Sequence, residues 1–460
     1  MNRFVVKFQL LILLLIALLI TTANGQSPKS LERILALTNA TIIDGNGGRP
    51  QPRKTIIIFG GRIADIFTTG KKKLPADATV MDLSGQYVIP GLIDSHYHLL
   101  LNRGAAEEMA RHRFAFLGGV TAVRDMAGDG IALAELAKTA SDAKAQSPRV
   151  YFSAVMAGAT WFSNDQRVSI LMHGLPSGEA AWARAIKPDT DIVKVVTEAK
   201  KTGATGIKMY ADLSPEVVAR ITKEAHRQGL KVWSHAIIFP SKPSDAVSAG
   251  VDVISHSVDL LYEFLKDIPK TTDTRPKDFY KNIDWDKFPI ESPIIAALFR
   301  RMKKQGTILD ATVTHTHTRF VLRQLARPEA ERTIRDPQWM DDFTFGVTRR
   351  AHELGVLLVA GTDFQEAPRN QDFPNIHTEL ELLVTKCGLT PIEAITTATR
   401  NGAIALGIEK SYGTIARGKI ADLVILSADP SIDIGNTTKI VYVIKGGKLH
   451  KREKVSMPAT

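Results

Sequence analysis

Short apolar runs rich in β-branched residues alternate with amphipathic stretches through the middle of the chain, which predicts strands joined by helices. Two of the stretches open with helix-start signals, Ser214-Pro215-Glu216 and Thr390-Pro391-Ile392-Glu393. The eight predicted strands are Tyr87–Ser95, Val120–Arg124, Val150–Ala154, Gly206–Met209, Val232–Ser234, Val251–Ser255, Thr307–Thr312 and Val356–Ala360. Eight strand–helix units fit an α/β fold of the (β/α)8 TIM-barrel type, and a doubly wound open sheet is the structural alternative.

Both ends of the chain carry paired apolar runs that are separated by two glycines, Gly60-Gly61 and Gly446-Gly447. Such a pair favours a β-hairpin, because both turn residues can adopt positive φ. The runs are Thr55–Ile58, Arg62–Ile66, Ile440–Ile444 and Lys448–Leu449, with a further strand at Ala421–Leu426. We therefore expect the two ends to form one small β-sandwich domain around which the barrel is inserted.

The N-terminus resembles a secretory signal. Arg3 and Lys7 precede an apolar run over 10–20, and small residues follow up to Gly25. The run is shorter than the ~20 apolar residues of a membrane-spanning helix. We therefore expect cleavage after Gly25 and an exported, periplasmic or secreted protein, with an uncleaved anchor as the alternative. The single cysteine, Cys387, cannot form an internal disulfide.

These patterns divide the chain into four segments. They are a signal peptide (1–25), the N-terminal part of the β-sandwich (26–90), the barrel (91–410) and the C-terminal part of the sandwich (411–460). With 44% hydrophobic residues, 33 glycines and 22 prolines, the composition excludes low-complexity disorder and a collagen-like chain.

The net charge of +11 is dispersed, apart from Lys71–Lys73 and the basic residues near the C-terminus. A nucleic-acid-binding protein would concentrate this charge on one face or carry a known motif. We expect a small-molecule substrate, no nucleic-acid partner and no stable membrane anchor after signal removal. A homo-oligomer is left open.

Polar side chains end five of the predicted strands. They are His96 and His98 on the first, Lys208 on the fourth, His235 on the fifth, His256 on the sixth and Asp363 on the eighth. Active sites of (β/α)8 barrels lie at the C-terminal ends of the strands. His96 and His98 are two residues apart on a strand and therefore point to the same side. Imidazole and carboxylate groups bind Zn²⁺ and similar divalent ions, so the joint pattern predicts a metal site.

Four motifs together resemble the amidohydrolase superfamily. Residues 88–98 (Val-Ile-Pro-Gly-Leu-Ile-Asp-Ser-His-Tyr-His) resemble its opening signature. The segments at 118–125, 361–363 and 413–424 extend the similarity over nearly the whole chain after the signal. The similarity is strongest to the imidazolonepropionase-related branch, which includes metal-dependent Xaa-Pro and Xaa-Arg/Lys dipeptidases.

The resemblance implies a barrel flanked by a β-sandwich and a centre of two divalent metal ions, with zinc expected. The implied ligands are His96 and His98 for the more buried ion, His235 and His256 for the more exposed ion, Lys208 as a bridge and Asp363. Lys208 would bridge as a carbamate derived from CO₂. A metal-bridging hydroxide would attack the carbonyl, and Asp363 as general base would pass the proton to the leaving nitrogen.

Lys208 favours the two-metal, dipeptidase-like branch, because relatives that deaminate rings generally use one metal and lack this lysine. We therefore expect a hydrolase of a C–N amide bond in a dipeptide or an N-acyl amino acid. A deaminase or cyclic-amide hydrolase on the same barrel is one alternative, and a non-catalytic scaffold is the other. Two segments, Ser255–Ser257 and Ala157–Trp161, depart from the family pattern, and the second helps to form the substrate pocket.

Candidate substrate contacts follow the fourth and seventh strands. Tyr210 lies two residues after Lys208 and can hydrogen-bond a substrate carboxylate or oxyanion. His317 and Arg319, together with His315, are predicted to hold a carboxylate. Trp161 and Phe162 are candidates for lining an apolar pocket. Ordinary packing and loop roles remain the alternative for each of these residues.

Overall fold

The computed structural model describes residues 33–99, 105–271, 281, 284–334, 336–364 and 372–455. The predicted signal peptide and its cleavage site lie outside these residues. Within the described ranges, we find no helix with the length and hydropathy needed to cross a membrane.

The chain contains the predicted alternation of strands and helices. The strands are β1 (Leu35–Ile42), β2 (Gln51–Phe59), β3 (Arg62–Thr68), β4 (Thr79–Asp82), β5 (Tyr87–Pro90), β6 (Leu92–Tyr97), β7 (Val120–Asp125), β8 (Arg149–Gly158), β9 (Glu179–Ala180), β10 (Ala183–Ile186), β11 (Gly206–Met209), β12 (Lys231–His235), β13 (Val253–Ser255), β14 (Ile308–Asp310), β15 (Leu358–Val359), β16 (Leu423–Leu426), β17 (Ile440–Lys445) and β18 (Lys448–Lys451). The α-helices are Ala105–Leu117, Gly130–Thr139, Ala159–Asn164, Val168–Leu171, Ile192–Lys201, Pro215–Arg227, Pro243–Ser248, Pro293–Gln305, Val313–His315, Leu322–Leu325, Pro337–Glu353, Ile376–Thr385, Pro391–Thr396 and Gly402–Leu406.

Eight parallel strands form the barrel in the order β6-β7-β8-β11-β12-β13-β14-β15. The first and last strands meet through two backbone hydrogen bonds. The Ser95 amide donates to the Ala360 carbonyl at 2.9 Å, and the Asp363 amide donates to the His96 carbonyl at 2.8 Å. The barrel is therefore nearly closed, and the predicted (β/α)8 fold class is confirmed.

The first predicted strand, Tyr87–Ser95, is wrong in its extent, because the structure divides this run between two sheets. Tyr87–Pro90 forms β5 and pairs with β1 and β16, whereas Leu92–Tyr97 forms the barrel strand β6. Gly91 lies between them, and a Cβ there would approach the Thr121 hydroxyl oxygen to 2.1 Å. The close passage past β7 therefore requires glycine, and the chain changes sheets at this residue.

Strands from both ends of the chain form a second sheet, in the order β18-β17-β16-β5-β1-β2-β3, with β4 also paired to β1. This sheet has its own apolar cluster, which includes Leu37, Ile56, Val88 and Ile425. The two Gly-Gly hairpins lie where they were predicted, between β2 and β3 and between β17 and β18.

The contact between the end sheet and the barrel contains buried charge. Lys445 on β17 is completely buried, and its amine donates to the carbonyls of Ala140 at 2.6 Å and Ser147 at 2.7 Å, with Ala145 at 3.2 Å. A nearby ion pair joins Arg149 Nε on β8 to Asp422 Oδ2 at 2.8 Å. These contacts hold the end sheet against the loop before β8.

Candidate metal centre

Two histidines and one aspartate meet at the C-terminal end of the barrel. His96 and His98 lie on or directly after β6, and Asp363 follows β15. Ligand atoms of these three buried residues all lie within 4.8 Å of one another. His98 Nε2 is 2.9 Å and His96 Nε2 is 3.5 Å from Asp363 Oδ1. Barrel closure thus brings together residues that are 265 positions apart in the chain.

The other two predicted histidines lie beside this cluster. The ring of His256 is 5.0 Å from that of His96 and 4.9 Å from that of His235, between ring centres. His256 Nδ1 is also 3.9 Å from Asp363 Oδ2. The structure therefore places all four predicted histidines and Asp363 around one space.

Hydrogen bonds orient the imidazoles. His96 Nδ1 donates to the carboxylate of Asp310 at 2.7 Å, and His235 Nδ1 donates to the Tyr210 carbonyl at 2.9 Å. Because both acceptors lack a proton to donate, the proton of each ring is on Nδ1, and Nε2 keeps its lone pair. Burial lowers the pKa of His96 to about 4 and that of His235 well below the usual value, which favours the neutral form that binds metals.

Lys208 on β11 is the remaining predicted metal ligand. Its side chain is completely buried, yet its amine has no hydrogen-bond partner among the described residues. Burial lowers its pKa to about 7, although the charge of Asp310 acts in the opposite direction. His96 Nε2 is likewise buried without a hydrogen bond among these residues. Buried polar atoms without partners are costly, so the donor set fits groups that bind there, and neutral imidazole with carboxylate suits a divalent metal ion.

Asp310 at the end of β14 is a residue of this site that the sequence analysis did not identify. Its Oδ2 atom accepts from His96 Nδ1, from Arg124 Nη2 at 2.9 Å and from Ser255 Oγ at 2.9 Å, and all these side chains are buried. Burial would raise the pKa of Asp310, but the neighbouring His96 and Arg124 lower it. A buried ion pair therefore supports the ring of His96 from behind.

The backbone is strained at three residues of the site. His256, Thr312 and Asp363 have φ values of 74°, 49° and 50°, in the left-handed region that non-glycine residues rarely adopt. Each such residue costs about 1–3 kcal/mol and is typical of functional sites. Gly361 allows the close packing here, because a Cβ would approach Asp310 Oδ1 to 2.3 Å.

Asp363 is surrounded by imidazoles. His315 Nδ1 lies 3.1 Å from its Oδ2 atom and 3.0 Å from its backbone carbonyl oxygen, whereas Oδ1 lies near His98. Burial would raise the pKa of Asp363, but the nearby His315 and His96 lower it well below the usual carboxyl range. Asp363 is therefore an anion in this site.

The segment after β14 places the predicted substrate contact His317 outside the cavity. The Val313–His315 helix continues into a π-helical turn at 316–321, and His315 and Arg319, four residues apart, share the face that lines the cavity. His317 Nδ1 is 2.7 Å from Asp341 Oδ2, and His317 does not line the cavity described below. Its side chain therefore packs against the Pro337–Glu353 helix.

A cavity of about 380 Å³ opens in front of these residues. Asp363, His98, His235 and His256 form its polar base. The predicted contacts Tyr210 and Arg319 line it, as do His315, Trp161, Arg167 and Phe320. Burial raises the pKa of Tyr210 to about 12, so its hydroxyl remains protonated and can donate a hydrogen bond. The sequence signals for Arg167 are weak, because it lies on a polar turn away from any strand end.

Residues 87–450 match the sequence profile of the amidohydrolase family. Ochratoxinase from Aspergillus niger is 25% identical over 450 residues, which cover 86% of this chain and 81% of that protein. Imidazolonepropionase from Pyrobaculum arsenaticum is 26% identical over 379 residues, or 80% of this chain and 85% of that protein. These matches confirm the family resemblance seen in the motifs.

Solved structures share the same fold. A Xaa-Pro dipeptidase with bound methionine in its active site aligns with a TM-score of 0.67 and 22% identity, covering 91% of this chain and 100% of that chain. The A. niger ochratoxinase structure aligns with a TM-score of 0.69 and 21% identity, and the alignment covers 91% of this chain and 96% of that chain. At these identities the comparison supports the barrel architecture.

Proposed function

The chain belongs to the amidohydrolase family and is a hydrolase of carbon–nitrogen bonds, and from that premise we propose that it cleaves the amide bond of a dipeptide or an N-acyl amino acid. One observation carries this proposal. The buried amine of Lys208, without a hydrogen-bond partner among the described residues, lies near the C-terminal end of its barrel strand, close enough to His96, His235 and His256 for its charge to lower their pKa values. This donor set favours two metal ions over one.

The proposed metal ligands are His96 and His98 for one ion, His235 and His256 for the other, Lys208 and Asp363. The neutral amine of Lys208 can attack CO₂, forming an N–C bond and releasing one proton, which leaves a carbamate anion. An anion with two oxygens can bridge two cations, whereas an ammonium cannot bind one. When bound, divalent ions such as Zn²⁺ lower the pKa of a water molecule and polarise a carbonyl group.

Asp363 is the proposed general base. Its carboxylate is held as an anion beside His98 and His315, and it lines the cavity that would contain the substrate. In this role it accepts the proton of the attacking water and transfers it to the nitrogen of the leaving amine. Tyr210 is positioned at the same cavity and can donate a hydrogen bond to the oxyanion that develops on the substrate carbonyl.

Arg319 is the proposed contact for the carboxylate of the leaving amino acid. It lines the cavity and makes no ion pair or hydrogen bond with the described residues. Arg167, by contrast, is already paired with Asp165, with 2.9 Å between Nε and Oδ1. A guanidinium that lacks a carboxylate partner favours an anionic substrate end, because it can bind a carboxylate through two hydrogen bonds. The Xaa-Pro dipeptidase among the structural neighbours acts on substrates with such an end.

The test is an assay of the purified full chain against a library of dipeptides and N-acyl amino acids, with Zn²⁺, Mn²⁺ or Co²⁺ added. We expect release of a free amino acid from at least one of these classes. Ammonia release from a heterocycle, without cleavage of any dipeptide or N-acyl amino acid, would instead identify a deaminase. Opening of a ring amide would identify a cyclic-amide hydrolase.

Export of the protein is a further part of the proposal. The charged, apolar and small-residue regions of 1–25 support a cleaved signal peptide. Edman sequencing of the protein recovered from its native host should show a mature chain that starts near Gln26. An N-terminus at Met1 or Asn2 would overturn this part.

A further inference from the structure

A small apolar recess adjoins the catalytic cavity. Its volume is about 70 Å³, and Ala127, Ile170 and Leu171 form its apolar walls. Four further residues, His98, Trp161, Arg167 and Tyr210, line both the recess and the larger cavity. The recess therefore opens directly beside the metal-binding residue His98. Arg319 and Phe320 line the cavity but not the recess.

The indole of Trp161 is held in place on one side of the recess. Trp161 is only 5% exposed, and its Nε1 donates to Asp165 Oδ2 at 3.0 Å. Asp165 also accepts from the backbone amide of Arg167 at 2.9 Å. The indole packs against the ring of Tyr210, with 4.5 Å between ring centres. These contacts give the recess a fixed aromatic wall, so its size is set before a ligand arrives.

The chemistry of the recess suits a small, uncharged group. Among the described residues that line the recess, Arg167 is the one with a permanent charge, and it is already paired with Asp165, so it is not free to act as a counter-ion for a charged side chain. The recess has a volume of about 70 Å³. An apolar protein cavity of about 150 Å³ holds benzene, so a recess of about half that volume suits a side chain of one to three carbon atoms. An alanine or valine side chain fits this space, and a phenyl ring does not.

We propose that this recess binds the side chain of the acyl residue of the substrate and selects small aliphatic side chains over aromatic and charged ones. The proposal deepens the proposed amide hydrolysis and rests on it. With the carboxylate of the leaving amino acid at Arg319, the acyl residue extends toward His98, and its side chain enters the recess. Trp161 and Ala127 are then the residues that determine specificity.

Two variants change the size of the recess in opposite directions. Trp161→Ala enlarges it, and Ala127→Val fills it. The readout is kcat/KM for dipeptides whose acyl residue is Gly, Ala, Val, Leu, Phe or Glu, with the leaving residue fixed as the one cleaved fastest in the library assay. Ile294→Ala is the control, because Ile294 is 47% exposed on an outer helix away from both cavities. Metal content is measured for every variant.

In the wild type, we expect kcat/KM for the dipeptide with an acyl Val to exceed that for acyl Gly and that for acyl Phe, each about 10-fold or more. Methyl groups in a hydrophobic pocket contribute energies of this size. In Trp161→Ala the ratio of Phe to Val should rise about 10-fold or more, with unchanged metal content. In Ala127→Val the ratio of Val to Gly should fall by a similar factor, which keeps the test valid if Trp161→Ala does not fold. If the folded Trp161→Ala and Ala127→Val variants have the same kcat/KM ratios between substrates as the Ile294→Ala control, the proposal is overturned.

A separate measurement distinguishes failure of the recess from failure of the proposed function. If the wild type cleaves no dipeptide or N-acyl amino acid, the proposed function fails, and binding is then measured without catalysis. Saturation-transfer NMR with isobutyramide, and with benzamide as the larger probe, tests the recess in the wild type and in Ala127→Val. A small aliphatic site is supported if the wild type transfers saturation to isobutyramide but not to benzamide, and if Ala127→Val no longer transfers it to isobutyramide. Equal transfer to both probes, or none, overturns it.

Discussion

Two lysines of this chain, Lys208 and Lys445, are completely buried, but their surroundings differ. Lys445 lies where the end sheet meets the barrel and donates to three backbone carbonyls. Lys208 lies at the mouth of the barrel, and its amine has no hydrogen-bond partner among the described residues. Burial lowers the pKa of both amines, to about 8 for Lys445 and about 7 for Lys208.

The difference indicates two uses of a buried amine. With acceptors in place, Lys445 joins two parts of the fold, and its removal would leave carbonyl groups without partners. Lys208 contributes no such contact and carries the desolvation cost of a buried polar group. Buried polar atoms without partners are typical of binding sites, and our proposal is that Lys208 binds metal together with the surrounding histidines. The predictions below test whether function and stability separate between these two regions.

Replacing Asp363 with Asn should have the largest effect on catalysis. The amide keeps the shape of the side chain but cannot accept a proton, so kcat should fall about a thousandfold or more. Metal content should remain close to that of the wild type, and the urea midpoint of unfolding should not decrease. Asp342→Asn, on the exposed face of the Pro337–Glu353 helix, is the matched control. A kcat similar to that of the wild type would exclude Asp363 as the general base.

Replacing Lys445 with Met should affect stability and leave catalysis intact. The substitution keeps the aliphatic stem but leaves three carbonyls without a donor, which should lower the free energy of unfolding by about 3 kcal/mol. Urea denaturation measures this change, and the exposed Lys451→Met on β18 is the control. The folded variant should retain the kcat of the wild type. If the fully folded Lys445→Met variant lost most of its kcat, the distinction between a lysine that stabilises the fold and one that serves catalysis would not hold.

Replacing Asp310 with Asn should weaken metal binding without removing any ligand. The variant loses the charged acceptor that His96 and Arg124 share. Losing such support of a metal-binding histidine typically costs about 10- to 100-fold in affinity. Competition with a chromogenic chelator measures the effect, with Asp342→Asn again as the control. An unchanged affinity would show that His96 does not depend on this ion pair.

Replacing Ser255 with Ala should have the smallest effect. The change removes one of the three hydrogen bonds to Asp310 Oδ2 and leaves those from His96 and Arg124. A single hydrogen bond contributes about 1 kcal/mol, so metal affinity should fall less than about 10-fold in the same chelator assay. An effect as large as that of Asp310→Asn would mean that Ser255 has a role beyond supporting this carboxylate.

Much of the fold could be predicted from the sequence, because a parallel barrel buries both faces of its strands and each strand is therefore a short apolar run. The exception is the run from Tyr87 onward, where β5 and β6 are both apolar and consecutive. Only the packing of Gly91 against Thr121 shows that the chain changes sheets there. Pro90-Gly91 is a local signal for a break, but the sheet that each run joins is set by contacts between distant segments.

The site was less completely predictable. Ligands at strand ends follow from strand periodicity, whereas Asp310 and Arg124 lie inside apolar runs, where the charge of a side chain is the one sign of its role. The choice between His315 and His317 depends on the helical turn at 316–321, which the sequence pattern did not predict. His315 therefore faces Asp363, and His317 packs against Asp341.

The central claim is that the amine of Lys208, which has no hydrogen-bond partner among the described residues, belongs to a metal site. Elemental analysis of the wild type and of Lys208→Ala, purified side by side in the presence of bicarbonate and Zn²⁺, tests it most directly. We predict two metal ions per chain in the wild type and a decrease toward one in Lys208→Ala, with the variant still folded. The same metal content in both proteins would contradict the claim and would indicate that Lys208 is not a metal ligand.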